Sequence, residues 1–455
     1  MSFSRRTRET HKRLQPDRNF ALTSRLALLP VIEKGPGFRA SLRDLPRHLT
    51  LATVSYGVTA WLFAVTGPFL IFVNAAKQGN LLPAEFNSWI FAGYFICGLL
   101  TVLLTLYYRQ PLLAAITIPG GVLTGAALTH LSFSEAVGAY LLTGLFITAL
   151  AATGAVKRVT DWLPKPITMA MVAAVLLPFG MGIVSAFKET PVLSATTLGG
   201  FLAVSLMPHL AQRFPPVLAA ILVGLFTTSI LGQANWQLLT FELARPVVFS
   251  PVFTTPAAAE LVLPLALTVV AAQNAQGIAI LRNMEYQPPV NAVTFMSGLG
   301  SILVGFFGSQ SACLAGPMTG IVTNPRVGAK EVRYAAALVT GFLWILFGLF
   351  APTATALSEI LPSSLIKLLA GLALLEVLAS SLRAAFTDKF RLGVLFTFII
   401  TLSEFRLFNI GSPFWGLIGG TAVSLLVERE DFKSKPKDKG RIDSGEYSHS
   451  ENSKR

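Results

Sequence analysis

Between residues 51 and 428 the chain is a succession of apolar runs divided by short polar loops, most of them close to the roughly 20 residues a helix needs to cross a bilayer core. Fourteen segments can be drawn, near 51–75, 87–108, 111–130, 135–156, 165–187, 195–211, 215–232, 259–281, 290–307, 310–324, 333–352, 363–382, 390–404 and 412–428. The tenth and thirteenth are short. The pattern predicts an all-α polytopic membrane protein with polar tails at 1–50 and 429–455.

Two segments are interrupted. The third contains Ile118-Pro119-Gly120-Gly121-Val122-Leu123-Thr124-Gly125, and the tenth contains Ala315-Gly316-Pro317-Met318-Thr319-Gly320. Fourteen divides into seven and seven, which makes each break third in its half. An odd number per half forces the second copy into the membrane inverted. Proline removes an amide donor and clashes with the preceding turn, and neighbouring glycines weaken a helix further. Freed backbone groups at membrane depth are tolerated only against protein or a wet cavity. Each break therefore predicts an extended stretch (Leu112 to Thr117, and Ser309 to Leu314) running into a half-helix. The two half-helix starts would face the midplane from opposite sides, offering free amides and partial positive charge to a small anion. Unbroken, merely kinked helices are the alternative, since Gly and Pro are common in membrane spans.

Composition and charge agree with the apolar pattern. Of 455 residues 53% are hydrophobic and 13% charged, too greasy for a soluble surface. The charges also cluster: residues 1–50 and 428–455 hold fifteen each, leaving 29 for the 377 residues between. Disorder, collagen, a coiled coil and a disulfide scaffold are excluded. With the N-terminus cytoplasmic, the inner loops receive twelve Lys and Arg and the outer loops five, a positive-inside bias that puts both tails in the cytoplasm. The net charge of +13 could suggest nucleic acid, but residues 1–50 carry no aromatic interleaving or binding-fold pattern. Cytoplasmic retention and attraction to anionic headgroups explain that segment better. The mixed-charge tail at 429–455 reads as disordered, and no removable secretory signal is expected at the N-terminus. Cys97 and Cys313 make no metal pair, and five scattered histidines make no cluster, so neither metal nor cofactor is expected.

Polar residues inside the segments are few. Gln273, Asn274 and Gln276 lie near the middle of the eighth, with Gln273, Gln276 and Gly277 on one helical face. Carboxamides offer donors and acceptors to a carboxylate or ring edge, and Gly277 admits a close neighbour. Interhelical hydrogen bonding is the plainer role for such groups. Glu376 is the one acid well inside a segment, where burial would raise its pKa and suit it to proton coupling, unless it pairs with Arg383 or Ser380. Glu260, Glu285 and Glu404 fall near segment ends, and Asp161 sits among Lys157, Arg158 and Lys165 as a loop ion pair.

The stretches YRQPLLAAITIPGG (108–121), AAQNAQGIAIL (271–281), LAGLAL (369–374) and SPFWGLIGG (412–420) together resemble the benzoate:proton symporter family, BenE, from about residue 50 to 428. That resemblance implies a seven-plus-seven inverted repeat similar to nucleobase transporters and sulfate-type anion exchangers. It implies a core domain from 51–156 and 259–352, and a gate domain from 165–232 and 363–428, with a homodimer through the gate. It places Thr117, Pro119, Gly120, Gly121, Gln273, Asn274, Gly316 and Thr319 around a small anionic substrate, and Gln276, on the same helical face as Gln273, is expected to join them. A break at Thr66-Gly67-Pro68 in the first segment should line the same cavity.

These readings converge on a secondary transporter of the inner (plasma) membrane, not an enzyme, coupling a proton to uptake of benzoate or a similar organic carboxylate by an elevator-like motion. A nucleobase or inorganic-anion transporter of the same fold is the rival, although the eighth segment offers amides where nucleobase carriers use an acid. An intramembrane enzyme would need a nucleophile and base beyond Glu376 and Cys313, and a channel would need charged rings that no segment supplies.

Overall fold

The computed structural model describes residues 32–153, 164–211, 214–234, 241–403, 405, 407–408 and 412–433. The expected Asp161 ion pair, Glu404 and most of both tails lie outside the described residues. In chain order the elements are α1 (Phe38–His48), α2 (Leu51–Gln78), α3 (Pro83–Tyr108), β1 (Ala114–Ile116), α4 (Ile118–Ala127) and α5 (Phe133–Thr153). Then come α6 (Lys165–Glu189), α7 (Pro191–Ser205), α8 (Pro216–Ile230), α9 (Thr255–Asn283), α10 (Val290–Phe306), β2 (Ala312–Leu314) and α11 (Gly316–Val322). The chain continues through α12 (Tyr334–Leu349), α13 (Ala351–Ile360), α14 (Ser363–Ala385), α15 (Arg391–Leu402) and α16 (Ser412–Val427). Seven helices among the described residues are long and apolar enough to cross a membrane, and six shorter apolar helices accompany them.

The third and tenth segments are interrupted as expected. Each is a three-residue strand followed by a short helix, and the two strands pair with each other, antiparallel, with Ala115 opposite Cys313. Bonds from Thr117 N to Ser311 O (3.0 Å) and from Ala315 N to Leu113 O (2.8 Å) extend the pairing at both ends. Thr101 of α3 closes one flank, donating to Ala114 O and accepting from Ala114 N. Ser301 of α10 accepts from Ala312 N on the other.

The first segment behaves differently. α2 runs unbroken through Thr66-Gly67-Pro68, correcting the expected interruption. Proline at 68 deprives the Ala64 carbonyl of its usual amide partner. The Tyr94 hydroxyl, from α3, donates to that carbonyl at 2.8 Å and allows the helix to continue. α13 is a second departure, a short helix where only a loop was expected.

The helices pack in two groups. One holds α2, α3, α5, α9, α10 and α12 around the β1–β2 ribbon; the other holds α6, α7, α8, α14, α15 and α16. Helix association in lipid depends on close packing, for which small residues are suited. Gly98 of α3 meets the Gly341 backbone of α12, and Gly144 of α5 meets the Gly298 backbone of α10. α6 lies along α14, and the groups touch where α2 meets α14 and α9 meets α6.

Two segments clasp the first group from opposite ends. Residues 244–252 bond to Leu349, Ser88, Phe306 and Ser134 in turn. At the other end the Glu33 carboxylate caps α10, accepting from Asn291 N and Ala292 N at 2.9 Å, and Asp44 pairs with Arg109 at 2.8 Å. The last part of the basic N-terminal segment is thus docked onto the helices, beyond the retention role expected of it.

Tyr94→Phe keeps the ring but strands the Ala64 carbonyl. It should cost about 1–3 kcal/mol, read as a lower midpoint in thermal or denaturant unfolding of the detergent-solubilised protein.

Candidate functional site

The ribbon sets where the two short helices begin. Because β1 and β2 are antiparallel, α4 starts at one end of the ribbon and α11 at the other, running in opposite directions. Thr117 caps α4: its hydroxyl accepts from Gly120 N at 3.4 Å and donates to the Thr268 hydroxyl of α9 at 3.4 Å. Pro119 and Pro317 occupy the first turns, where a missing N–H costs nothing. Ala315 caps α11 without a side-chain bond. Among the described residues no protein group accepts from the amides of Ile118, Gly316 or Met318. Three buried donors at two helix starts are thus open toward an anion.

Gly120 and Gly121 let neighbours close on α4. A β-carbon at Gly121 would lie 2.5 Å from the Phe72 ring of α2, and one at Gly120 would press on Leu265 of α9. Gly316 is met in the same way by the Gln276 side chain, and Gly277 by Leu314 of β2. The neighbour that Gly277 admits is therefore the ribbon.

α9 carries Gln273 and Asn274 on a π-helical turn, Thr268–Asn274, and Gln276 just beyond it, and the three carboxamides diverge in role. Asn274 is committed to structure: Oδ1 accepts from Leu314 N at 2.7 Å, and Nδ2 donates to Ser297 Oγ at 3.1 Å. Gln276 is exposed and lies over Gly316. Gln273 is only 6% exposed, yet its carboxamide makes no hydrogen bond among the described residues. Buried carboxamides are ordinarily satisfied, so this one is available to a ligand. Thr319 is fully buried, its hydroxyl donating to the Ala315 carbonyl.

Glu376 falls elsewhere. It is exposed on the outer side of α14, apart from the ribbon, and bonds to neither Arg383 nor Ser380. The burial expected for it is absent, because the helix turns that position away from α6. Glu260 is the reverse case: expected at a hydrated end, it is 4% exposed and 2.9 Å from His130.

Gln310 went unremarked in the sequence and ties the site together. It accepts from the Trp89 indole at 2.5 Å and donates to the Thr117 carbonyl at 3.1 Å. Its signal was available in Ser309-Gln310-Ser311, three polar residues entering an apolar segment. Beside the helix starts, Ile118, Met318, Phe72, Pro68 and Trp344 enclose an apolar cavity of about 20 Å³.

Residues 47–426 match the family described as "Benzoate membrane transport protein", BenE. The chain belongs to that family. It is 30% identical over 393 residues to the benzoate membrane transport protein of Acinetobacter baylyi, covering 85% of this chain and 98% of the relative. It is 31% identical over 386 residues to the inner membrane protein YdcO of Escherichia coli, covering 84% and 98%. Among solved structures it is similar in fold to the transmembrane domain of a cyanobacterium bicarbonate transporter, BicA, with TM-score 0.53, 16% identity, and 89% and 100% of the two chains covered. The chain is accordingly a multi-pass integral membrane protein and a membrane transporter of this family.

The two neighbouring carboxamides should separate cleanly on mutation. Asn274→Leu strands the Leu314 amide and should destabilise by about 1–3 kcal/mol, whereas Gln273→Ala, which breaks no hydrogen bond among the described residues, should cost less than Asn274→Leu while losing ligand-induced stabilisation. Unfolding midpoints with and without ligand check both.

Proposed function

We propose that the chain is a secondary active transporter that takes up benzoate or a similar small aromatic carboxylate, coupled to protons, by alternating access. The observation that carries this reading is the conjunction of two oppositely directed helix starts with open amides and a buried, unbonded Gln273 carboxamide. Partial positive charge from two directions suits one carboxylate. The free amides of one helix start take its oxygens while the other, a ribbon's length away, contributes its field; Gln273 orients it, and Ile118, Met318 and Phe72 present an apolar side that must widen beyond the cavity of about 20 Å³ to receive a ring. Thr117, Pro119, Gly120, Gly121 and Thr319 shape the two helix starts, Asn274 holds β2 in place, and Gln276 covers Gly316. The substrate class follows from the name of the Acinetobacter baylyi relative.

The moving parts in this reading are a core domain (51–156 and 259–352) and a gate domain (165–232 and 363–428), in fourteen spans forming a seven-plus-seven inverted repeat. The packing supports the repeat. The contact of α5 with α10 recurs, seven segments on, as α12 with α3; α7 with α8 recurs as α15 with α16; α2 with α4 recurs as α9 with α11. The paired glycines of α3–α12 and α5–α10 follow the same correspondence. Displacement of core against gate would expose the ribbon to each side in turn. The excess of Lys and Arg on one set of loops supports cytoplasmic termini.

A second reading keeps the site and changes the cargo: amides at helix starts also suit a small inorganic oxyanion, and the BicA fold likeness favours including bicarbonate.

In proteoliposomes, labelled benzoate should accumulate only with an inward proton gradient; absence of gradient-driven uptake across a panel of aromatic acids would sink the reading. A thermal-shift panel of benzoate, uracil, bicarbonate and sulfate separates the cargoes. The true ligand at 100 times its Kd should stabilise by about 2.7 kcal/mol.

A further inference from the structure

Outside the ribbon, a cleft of about 350 Å³ lies between the two helix groups, beside a wider cavity of about 620 Å³. One wall carries His130 and Glu260; the other includes Ala174, Pro178 and Phe179 of α6, with Thr401 and Ser412 of α15 and α16. His130 Nε2 lies 2.9 Å from Glu260 Oε2, and their side chains are 9% and 5% exposed. Both residues sit on elements that build the substrate site. His130 follows α4 by three residues, and Glu260 lies thirteen residues before Gln273 on α9, about 20 Å away at 1.5 Å per residue. The pair therefore ties the outer ends of the two elements whose deep ends meet at the ribbon.

The hydrogen bonds show what the pair holds. The Thr129 hydroxyl donates to the Ala126 carbonyl at 2.7 Å, leaving its lone pairs toward His130 Nδ1 at 3.4 Å. With one proton on Nδ1 and one shared between Nε2 and Glu260 the pair is neutral, whichever group carries the shared proton. Loss of one proton to water in the cleft leaves a net charge of −1 and turns a lone pair against an acceptor. Among the described residues, other charged groups nearby are few. Glu135, at the start of α5, accepts from Ser132 and Thr254 and faces the histidine. Lys77 ends α2. Across an adjoining cavity Lys188, Glu189 and Lys367 lie farther off, Glu189 bound to Lys367 at 2.8 Å. Among the described residues, those of α6, α15 and α16 that line the cleft are uncharged.

We propose that the His130–Glu260 pair is the proton site that licenses closure of this cleft over a bound carboxylate; the assignment rests on the transport reading above. Protonated, the pair is neutral and the apolar surfaces of α6 can close against it. Deprotonated, it places an uncompensated anion in a closing low-dielectric gap and opposes the entry of an anionic substrate. The step is balanced: one proton is taken from water in the open cleft, occluded with the substrate, and released to water when the cleft opens on the other side.

The test measures benzoate uptake by proteoliposomes as external pH is raised from 5.5 to 8, together with benzoate-induced thermal stabilisation. Wild type should lose about tenfold in rate, the effect of about one unit of proton-linked change. Glu260→Gln, neutral at every pH, should vary by no more than about twofold while still being stabilised by benzoate. His130→Gln, which leaves the carboxylate alone, should move the profile midpoint by about one pH unit, and it carries the test if Glu260→Gln does not fold. A wild-type profile in both variants, with or without lower stability, makes the pair a structural tie and overturns the proposal alone. Wild-type protein that neither binds nor takes up any aromatic carboxylate overturns the transport reading and this proposal together.

Discussion

A backbone amide or carbonyl in hydrocarbon must find a partner, and the fold is organised around the two places where helices fail to supply one. The breaks before Pro119 and Pro317 free main-chain groups deep in the protein. They are satisfied mutually: the extended stretch of each becomes the other's strand, and side chains of Thr101 and Ser301 take up edge groups that the ribbon leaves. A two-stranded ribbon this short is not stable alone. It persists because α3, α9 and α10 enclose it and because Asn274 and Gln310 anchor its ends.

What the ribbon leaves unsatisfied is as informative as what it satisfies. Pairing consumes the amides of Thr117 and Ala315, but the first helical amides after them point beyond the strand ends. Proline in each first turn removes one competing donor and fixes the helix start without an interior penalty. The result is a small region of positive potential made from backbone alone, without a lysine or arginine, which suits a carrier that must release its anion as well as bind it. Pro68 shows the opposite treatment: its orphaned carbonyl is filled by Tyr94, and that helix stays continuous.

Charge is handled differently at the two depths. Near the ribbon, polarity comes from amides and hydroxyls, which need no counter-ion. Apart from Glu376, exposed midway along α14, the charged groups of the membrane-crossing helices among the described residues lie in the cleft or near helix ends. His130 with Glu260 and Glu189 with Lys367 both lie on the boundary between the helix groups.

Apolar run length and interruption by Pro and Gly are local properties, so the sequence alone determined the helical membrane class, the two strand-then-helix breaks, and the polar patch in the eighth segment. Which partner a polar side chain finds is not local. Gln273 and Asn274 are adjacent and chemically alike, yet one is free and the other bound to Leu314, because the ribbon passes on only one side of the π-turn. Glu376 looked buried because its neighbours in sequence are apolar, whereas the helix turns it outward; Glu260 looked exposed because it begins a segment, whereas the loop after α4 folds His130 over it. Burial and pairing of a single polar group depend on residues 40 to 130 positions away in these cases, and only the packed tertiary structure brings those together.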